Sequence, residues 1–497
     1  MKKMIAFILA AVCLMGFAGC TKDNNTGGTV TVGITQEPSV FDPHTVVAAG
    51  DKEILFNVFE GLYKFGPDGS LNPCLATGVE ISDDSTVYSF TIRDGVKFHN
   101  GNDMTTADVV YSLKRAAGLL DGQDAALVSE LDSVTSVEAS GDKVIVTLDA
   151  PNSELLSFFT VAVIPDEVED IGATPIGTGP FVFDSYTIGQ DVTLLKNADY
   201  WDHEHPYIDK AVFKITADMD AGLIELQNGT IDIYPYLTSD RADQLDPAAF
   251  NVLRKGSNMV QIFALNNAVA PLDDARVREA ICYAVNRDDI ISVTMDGAGE
   301  PLTTAMSPAM GEYYDTSLDG TYTQDIDKAK SLLAEAGYPD GFDMTITVPS
   351  NYLVHVNTAV ELKSELAAVG IDCTINQVDW ATWLSDTYTG RNFDSTVIAL
   401  TSNYAPYDVL SRYQSDDTGN FINYSNARVD EIMAQIPLET DDNVKKELYH
   451  EVLHILLEDA ASCYIQDPAN IVAVSTRLTG YDVYPMYVQD LSRVKFV

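Results

Sequence analysis

Residues 357–380, NTAVELKSELAAVGIDCTINQVDW, constrain the fold more than any other stretch of the chain. Apolar side chains recur at helical spacing up to Gly370 and then alternate, so a helix hands over directly to a strand. A helix–strand unit of this kind belongs to the α/β class, in which helices cover a sheet. The rest of the chain supplies matching pieces. TVTVGI (29–34) alternates as a strand does, and QEPSVFDPH after it is a loop broken by Pro38 and Pro43. DKEILFNVFEGLYKF (51–65) reads as one amphipathic helix ending at a glycine turn. STVYSFTIRDGVKF and GDKVIVTLDAP read as antiparallel strands with turns at RDG and SGD. Between them TTADVVYSLKRAA is a helix capped by Thr105 or Thr106. IGTGPFVFDSYTIGQDVTLLKN is a Gly-rich approach to a hairpin, and DARVREAICYAVNRDDII and DIDKAKSLLAEAGYP are amphipathic helices. At 497 residues the chain is longer than one hydrophobic core usually serves, so two or more lobes are expected.

The first twenty residues, MKKMIAFILAAVCLMGFAGC, place Lys2 and Lys3 before an apolar run from Met4 to Phe17, then small residues before Cys20. This is a secretory signal, too short and wrongly flanked for a permanent span. Its end resembles a bacterial lipobox, in which Cys20 becomes the lipidated first residue; an ordinary signal peptide cut nearby is the alternative. TKDNNTGG then suits a flexible tether. The expectation is an extracytoplasmic protein anchored to the cell membrane by lipidated Cys20, periplasmic where the cell has an outer membrane. No later segment approaches ~18 uninterrupted apolar residues.

Charge narrows the partners. Thirty Lys and Arg stand against 74 Asp and Glu, a net charge of -44 that repels nucleic acid and anionic membrane surfaces. Neither is expected as a partner beyond the lipid anchor. Cys74, Cys282, Cys373 and Cys463 lie far apart without C-x-x-C spacing, which indicates neither a structural zinc site nor a redox motif. Three disulfide connectivities and buried free thiols all remain open.

YHEVLHILLEDAA (449–461) contains His450-Glu451-Val452-Leu453-His454, an H-E-x-x-H pattern by which a helix can present two zinc ligands and a general base. Stepping 100° per residue puts Val444, Leu448, Val452, Ile455 and Leu456 on one face. His450 and His454 fall opposite, among Lys446, Glu447, Glu451 and Glu458, which is the solvated side, and no third ligand follows at a recognised spacing. A zinc peptidase is therefore the remote reading. DYWDHEHPY offers His203 and His205 beside Asp202 and Glu204, a cluster able to hold a transition metal but placed in a loop. GTG at 177–179 lacks the lysine and spacing of a phosphate loop, and no G-x-S-x-G element occurs. Neither a catalytic residue, a resident metal nor a cofactor is expected.

The order of the blocks carries a resemblance. NVFEGLYKFGPDGSLNPCLATGVEISDDSTVYSFTIRDGVKFHNGNDMTTADVVYSLKR resembles the signature of the extracellular solute-binding proteins of family 5, which feed oligopeptide, dipeptide and nickel ABC importers. PIGTGPFVFDSYTIGQDVTLLKNADYW, ALNNAVAPLDDARVREAICYAVNRDDI, DIDKAKSLLAEAGYPDGFDMTITVP and NFINYSNARVDEIMAQ continue the likeness. It implies a two-lobed α/β clamshell of the periplasmic-binding-protein kind with an extra subdomain inserted in lobe I. The expected division is signal 1–19, tether 20–28, lobe I 29–265 with its insert at about 72–172, lobe II 266–465, and a return to lobe I over 466–497. It implies a monomer with no catalysis of its own. Its partners would be ABC permease subunits with their ATPase, and its ligand a small peptide or peptide-like solute; a nickel or metal chelate, or another organic solute, is the alternative.

The resemblance also implies a site between the lobes. Trp380 matches the pocket tryptophan of peptide-binding relatives, whereas Trp383 packs inside the lobe. Ser402 and Asn403 stand where those relatives carry an acid for the ligand's ammonium, and Tyr404 follows as an apolar wall. Before the lobe II helix, where dipeptide carriers place an arginine, the candidates are His355 and Tyr352. Glu37 and Phe41 of the loop EPSVFDPH are expected to close the lobe I side.

Overall fold

The computed structural model describes residues 27–46, 48–401 and 405–497. The opening alternation forms β1 (Thr29–Ile34), with Val30 and Val32 fully buried. The Gly-rich approach leads into the expected hairpin of β2 (Phe181–Thr187) and β3 (Asp191–Lys196), followed by β4 (Lys210–Ile215), β5 (Ile233–Tyr234) and β6 (Phe250–Gly256). β7 (Met259–Leu265), β8 (Asp343–Pro349), β9 (Asp372–Val378) and β10 (Ser395–Thr401) serve the second half, and β11 (Cys463–Ser475) serves both. Hydrogen bonds join them in the order β9-β8-β10-β7-β11-β5-β1-β4-β3-β2, with β6 also paired on β11. β1 runs parallel to β4 and β5, and β8 runs parallel to β9 and β10.

The length of β11 explains the two-lobed architecture. Its first part pairs antiparallel with β7, and its second part pairs with β6 and β5. Two antiparallel chain segments, 250–265 and 463–475, therefore pass together from one lobe to the other. At the passage the ladder breaks, and the side chain of Asp467 fills the gap. Its carboxylate accepts hydrogen bonds from three successive backbone amides, Ser257 at 2.9 Å, Asn258 at 3.2 Å and Met259 at 3.2 Å. The hydroxyls of Ser257 and Ser307 donate to it as well. Gly256 makes the approach possible, because a Cβ there would stand 2.9 Å from the Asp467 carboxylate.

Three large apolar cores divide the chain. One gathers buried side chains between Val260 and Ile465, joined by Phe65. A second gathers β1, β4 and the C-terminal residues Leu491 and Val494. A third lies under a separate four-stranded antiparallel sheet (Ala76–Ile81, Val87–Ile92, Lys143–Leu148, Val134–Ser140), an insertion in the first lobe. This inserted unit also touches the other lobe: Ser153 N–H donates to Pro437 O at 2.8 Å, and Glu154 takes Lys445 at 3.1 Å and Tyr449 at 2.7 Å. No helix among the described residues is long and apolar enough to cross a membrane.

The helices follow the sequence with two corrections. The segment 51–65 is not one helix: α1 (Ala49–Leu55) stops early, and Tyr63–Phe65 is a strand. Asn57 ends it by turning inward, donating to Glu53 O and Gln489 O while accepting from Leu491 N–H. Thr105, rather than Thr106, caps α2 (Thr106–Ala116), in a capping box with Asp108. The stretch 274–291 divides into α3 (Ala275–Ala284) and α4 (Arg287–Met295), because Val285 is extended and Asn286 caps the second helix. α5 (Leu353–Ala367) feeds β9 as the helix–strand unit requires, and α6 (Asp442–Glu458) carries the H-E-x-x-H pattern. Cys74, Cys282, Cys373 and Cys463 are buried free thiols.

Removing the Asp467 carboxylate leaves three buried or half-buried amides without their acceptor. Asp467→Ala is expected to lower the unfolding free energy by about 3 kcal/mol, read from urea denaturation. An unchanged midpoint would mean that the passage does not depend on this side chain.

Candidate functional site

In open α/β sheets ligands sit beyond the carboxyl ends of parallel strands. Here both parallel sets end at one gap between the lobes. On the first lobe, β1 ends in Gly33–Gln36 and β5 leads into Tyr236, and these line a cavity of about 260 Å³ with Ala49, Gly50 and Glu53 of α1 and Tyr487. An adjoining cavity of about 200 Å³ shares Ala49 and Tyr487, and reaches Ser257–Met259 at the passage and Thr401 at the end of β10. Tyr352 and Trp380 follow the ends of β8 and β9. Burial, Glu53 and the nearby Tyr352 together raise the Tyr487 phenol.

The floor of the larger of these two cavities is electrostatically unusual. Glu53 is 3% exposed, and no Lys, Arg or His pairs with it among the described residues. The Tyr236 hydroxyl donates to its carboxylate. Burial pushes the Glu53 carboxyl up to about 7, while hydrogen bonds from Tyr236 and Gln489 pull the other way. Burial and the neighbouring Glu53 together raise the Tyr236 phenol. Tyr236 itself holds a backbone φ of +59°, in the left-handed region that a bulky residue avoids. Its ring lies 6.2 Å from that of Tyr487.

On the second lobe the sequence-derived aromatics form a ladder. Trp383 is buried, Trp380 stacks on it at 5.1 Å and 11°, and Tyr352 meets Trp380 edge-on at 5.4 Å. Trp380 and Tyr352 remain 39% and 41% exposed, which leaves aromatic surface for a ligand. His355 goes elsewhere: it is buried, takes Gln261 at 2.9 Å, and burial lowers it to about 4. Glu37 and Phe41 turn onto the β2–β3 hairpin rather than into the cavities. Glu37 accepts from Tyr186 and from Gly189 N–H, and Phe41 packs on Phe183 and Tyr186 at 5.1 and 5.4 Å. Ser402, Asn403, Tyr404 and Cys20 lie outside the described residues.

Glu53, Tyr236 and Tyr487 are residues that sequence reasoning missed. The available signal was a repeated Tyr-Pro: Tyr234-Pro235-Tyr236 and Tyr484-Pro485-Met486-Tyr487. These are the two loops that meet over Glu53.

The histidine motifs are engaged in packing. His450 takes Glu312 O at 3.2 Å, His454 takes Asp315 at 3.0 Å, and Glu451 pairs with Arg428 at 2.8 Å. His205 pairs with Asp202 at 2.7 Å in the first lobe, far in the fold from His355 of the second lobe. Among the described residues one group of three possible metal ligands comes together, Asp108, Asp166 and Glu167, with no histidine in it. A further cavity, of about 520 Å³, lies within the first lobe around Glu60, Lys64 and Asp490. It does not reach the passage or any strand end of the second lobe, and Glu60 there is already held by Thr178, Tyr200 and Trp201.

Residues 70–421 match the family model of bacterial extracellular solute-binding proteins, family 5, middle portion. The chain is 26% identical to the oligopeptide-binding protein AppA of Bacillus subtilis (strain 168), over 92% of this chain and 90% of that protein. It is 26% identical to the glutathione-binding protein GsiB of Salmonella typhi, over 92% of each. The solved structure of the ABC transporter substrate binding protein CtaP from Listeria monocytogenes superposes with a TM-score of 0.84 at 25% identity, covering 95% of this chain and 99% of that one.

Glu53 has a direct consequence for stability. Its folded pKa of about 7 stands above the ordinary carboxylate value, so its contribution is fully present at low pH and is lost as pH rises through 7. Glu53→Gln removes that loss. Between pH 5 and pH 8 the variant should lose less stability than the wild type, by on the order of 3 kcal/mol. Glu365, also raised to about 7 by burial, acts equally in both proteins and cancels. Parallel urea-denaturation curves at the two pH values would sink this account of Glu53.

Proposed function

The chain belongs to the bacterial extracellular solute-binding proteins of family 5, and on that premise we propose that it captures a peptide or peptide-like solute between its lobes and delivers it to an ABC permease driven by its ATPase. The observation that carries the reading is the gap at the strand ends: a first-lobe cavity beyond β1 and β5 adjoins one that reaches the passage and Thr401 at the end of β10 in the second lobe. Closure of two bodies about a two-strand passage would bury a ligand on both sides. The oligopeptide and glutathione binding named for two relatives supports a peptide-like ligand.

In this reading the protein acts as a monomer and performs no catalysis. The lobe boundaries at 265/266 and 465/466, and the insert at about 72–172, belong to the same proposal; separate cores support two lobes and an insert, while Val260–Leu265 pack in the second lobe's core, which favours a first boundary at the Asp467 passage. Trp380 and Tyr352 supply the aromatic wall, and Ser402, Asn403 and Tyr404 are further ligand contacts in this reading. Cys20 carries the lipid that keeps the protein at the membrane.

Thermal-shift screening of the purified protein against di- to octapeptides, glutathione and metal chelates tests the ligand class, since a ligand of the folded state alone raises the melting temperature. Peptides are expected to do so; stabilisation by a nickel chelate and by no peptide would transfer the protein to the metal-chelate carriers. Trp380→Ala should weaken binding of the best peptide by roughly 2–4 kcal/mol in calorimetry. An unchanged affinity with the fold intact would move the ligand away from this wall. In cells, a palmitate analogue should label the wild type and not Cys20→Ala.

A further inference from the structure

Two buried glutamates of the first lobe differ in one respect. Glu60 is surrounded by donors from its own chain: Thr178, Tyr200, Trp201 and the Cys74 thiol. Glu53 is as deeply buried and also lines a cavity, yet its side-chain donors are Tyr236 and Gln489 alone, and it is met by no cation among the described residues, whereas Lys64 stands near Glu60. A carboxylate taken out of water without a cation is costly to keep ionised. Such a group persists in a ligand cleft when the missing charge arrives with the ligand.

We propose that Glu53 is the anchor for a cationic group of the ligand, a primary ammonium or guanidinium entering the cavity between α1, the end of β1 and the two Tyr-Pro loops. The inference deepens the peptide-binding reading and rests on the gap between the lobes being the ligand site.

The walls suit such a group. Tyr234, Tyr236 and Tyr487 line the cavity, and aromatic faces attract a cation that has shed its water. Tyr236 fixes the carboxylate's direction at the expense of its own backbone preference. The excess of 74 acids over 30 basic residues adds a field that draws cations toward the protein.

The titratable and charged surroundings are these. Tyr236 meets Glu53 from the loop after β5, Tyr481 and Tyr487 from the C-terminal segment, and Tyr352 lies behind Tyr487 on the second lobe. Asp482 and Asp490 act on Tyr481, and Lys64 is the counter-charge of Asp490 rather than of Glu53. On α1 itself, Asp51 is occupied by Ser39 and Val40, and Lys52 is exposed at the adjoining cavity. Nothing in this set neutralises Glu53 in advance. With its carboxyl raised to about 7, the free protein at neutral pH holds a partial proton there. A bound ammonium favours the carboxylate, so that proton passes to solvent on binding, and affinity rises with pH through 7.

The test is calorimetry of the full-length wild type, Glu53→Gln and Tyr236→Phe with trialanine, N-acetyltrialanine and agmatine, at pH 6, 7 and 8 in buffers of different ionisation enthalpy. The wild type should prefer trialanine to its acetylated form by about tenfold or more, a charge-assisted hydrogen bond's worth. It should release protons on binding at pH 7. Glu53→Gln, with its thermal transition retained, should bring the two peptides to within about twofold and abolish proton release. Tyr236→Phe should keep the preference and move the pH profile upward, since it removes a hydrogen bond that favours the carboxylate.

A folded Glu53→Gln that still prefers the free amine would remove Glu53 from the role while leaving peptide capture intact. Glu53-dependent binding of agmatine without binding of either peptide would keep the anchor and discard the peptide. Binding of none of the three probes to the wild type would discard both. Should Glu53→Gln fail to fold, proton uptake or no proton exchange by the wild type overturns the inference by itself.

Discussion

A single carboxylate closes the gap where two antiparallel strands pass from one lobe to the other, and the arrangement of the whole chain depends on it. At that point the ladder between β6–β7 and β11 cannot continue, because the two halves of the sheet must be free to take different directions. Three consecutive amides are left facing inward. Asp467 receives all of them on a short side chain, together with two hydroxyls. Burial raises its carboxyl while these donors oppose the rise. The sheet is thereby continuous in connectivity yet jointed in geometry, and the ends of β1, β5, β8, β9 and β10 look into one space.

The two sides of that space are chemically unlike. One offers an acid and phenols, polar groups that read the charge and hydrogen bonds of whatever enters. The other offers stacked indoles and a phenol edge, which reward burial with little regard to sequence. Division of labour of this sort suits a protein that must accept variable side chains while insisting on one common chemical feature. On the proposed reading, tightness would come from area and selection from charge, two quantities that can be altered independently.

Much of the fold was legible in the sequence because period and capping chemistry act locally. The alternation of TVTVGI, the Thr105 cap and the unit made by α5 and β9 each needed nothing beyond neighbouring residues. The errors came where a distant segment intervened. Asn57 stops α1 through Gln489 and Leu491, more than 400 residues away, which no local pattern reveals. On α6 the expected Leu448, Val452 and Leu456 are buried, but the buried face extends to Tyr449, Leu453 and Leu457 and leaves Val444 41% exposed, with Lys445 and Tyr449 drawn toward Glu154. The site was half legible for the same reason. Aromatics at strand ends announce themselves, and so Trp380 and Tyr352 stand on the gap. An acid on a short amphipathic helix looks solvated, and only the meeting of two remote Tyr-Pro loops turns Glu53 inward. Glu37 and Phe41 were read from loop position alone, whereas Tyr186 decides their direction.

The contact of Glu154 with Lys445 and Tyr449 makes the inserted sheet into a catch set away from the pivot. A pair of strands alone would let the halves swing and twist with little resistance. A third point of attachment, off the line of the strands, turns twisting into a motion that must first break an ion pair and a phenol hydrogen bond. The helix that carries the H-E-x-x-H pattern thus holds, one turn earlier, the second lobe's half of this attachment.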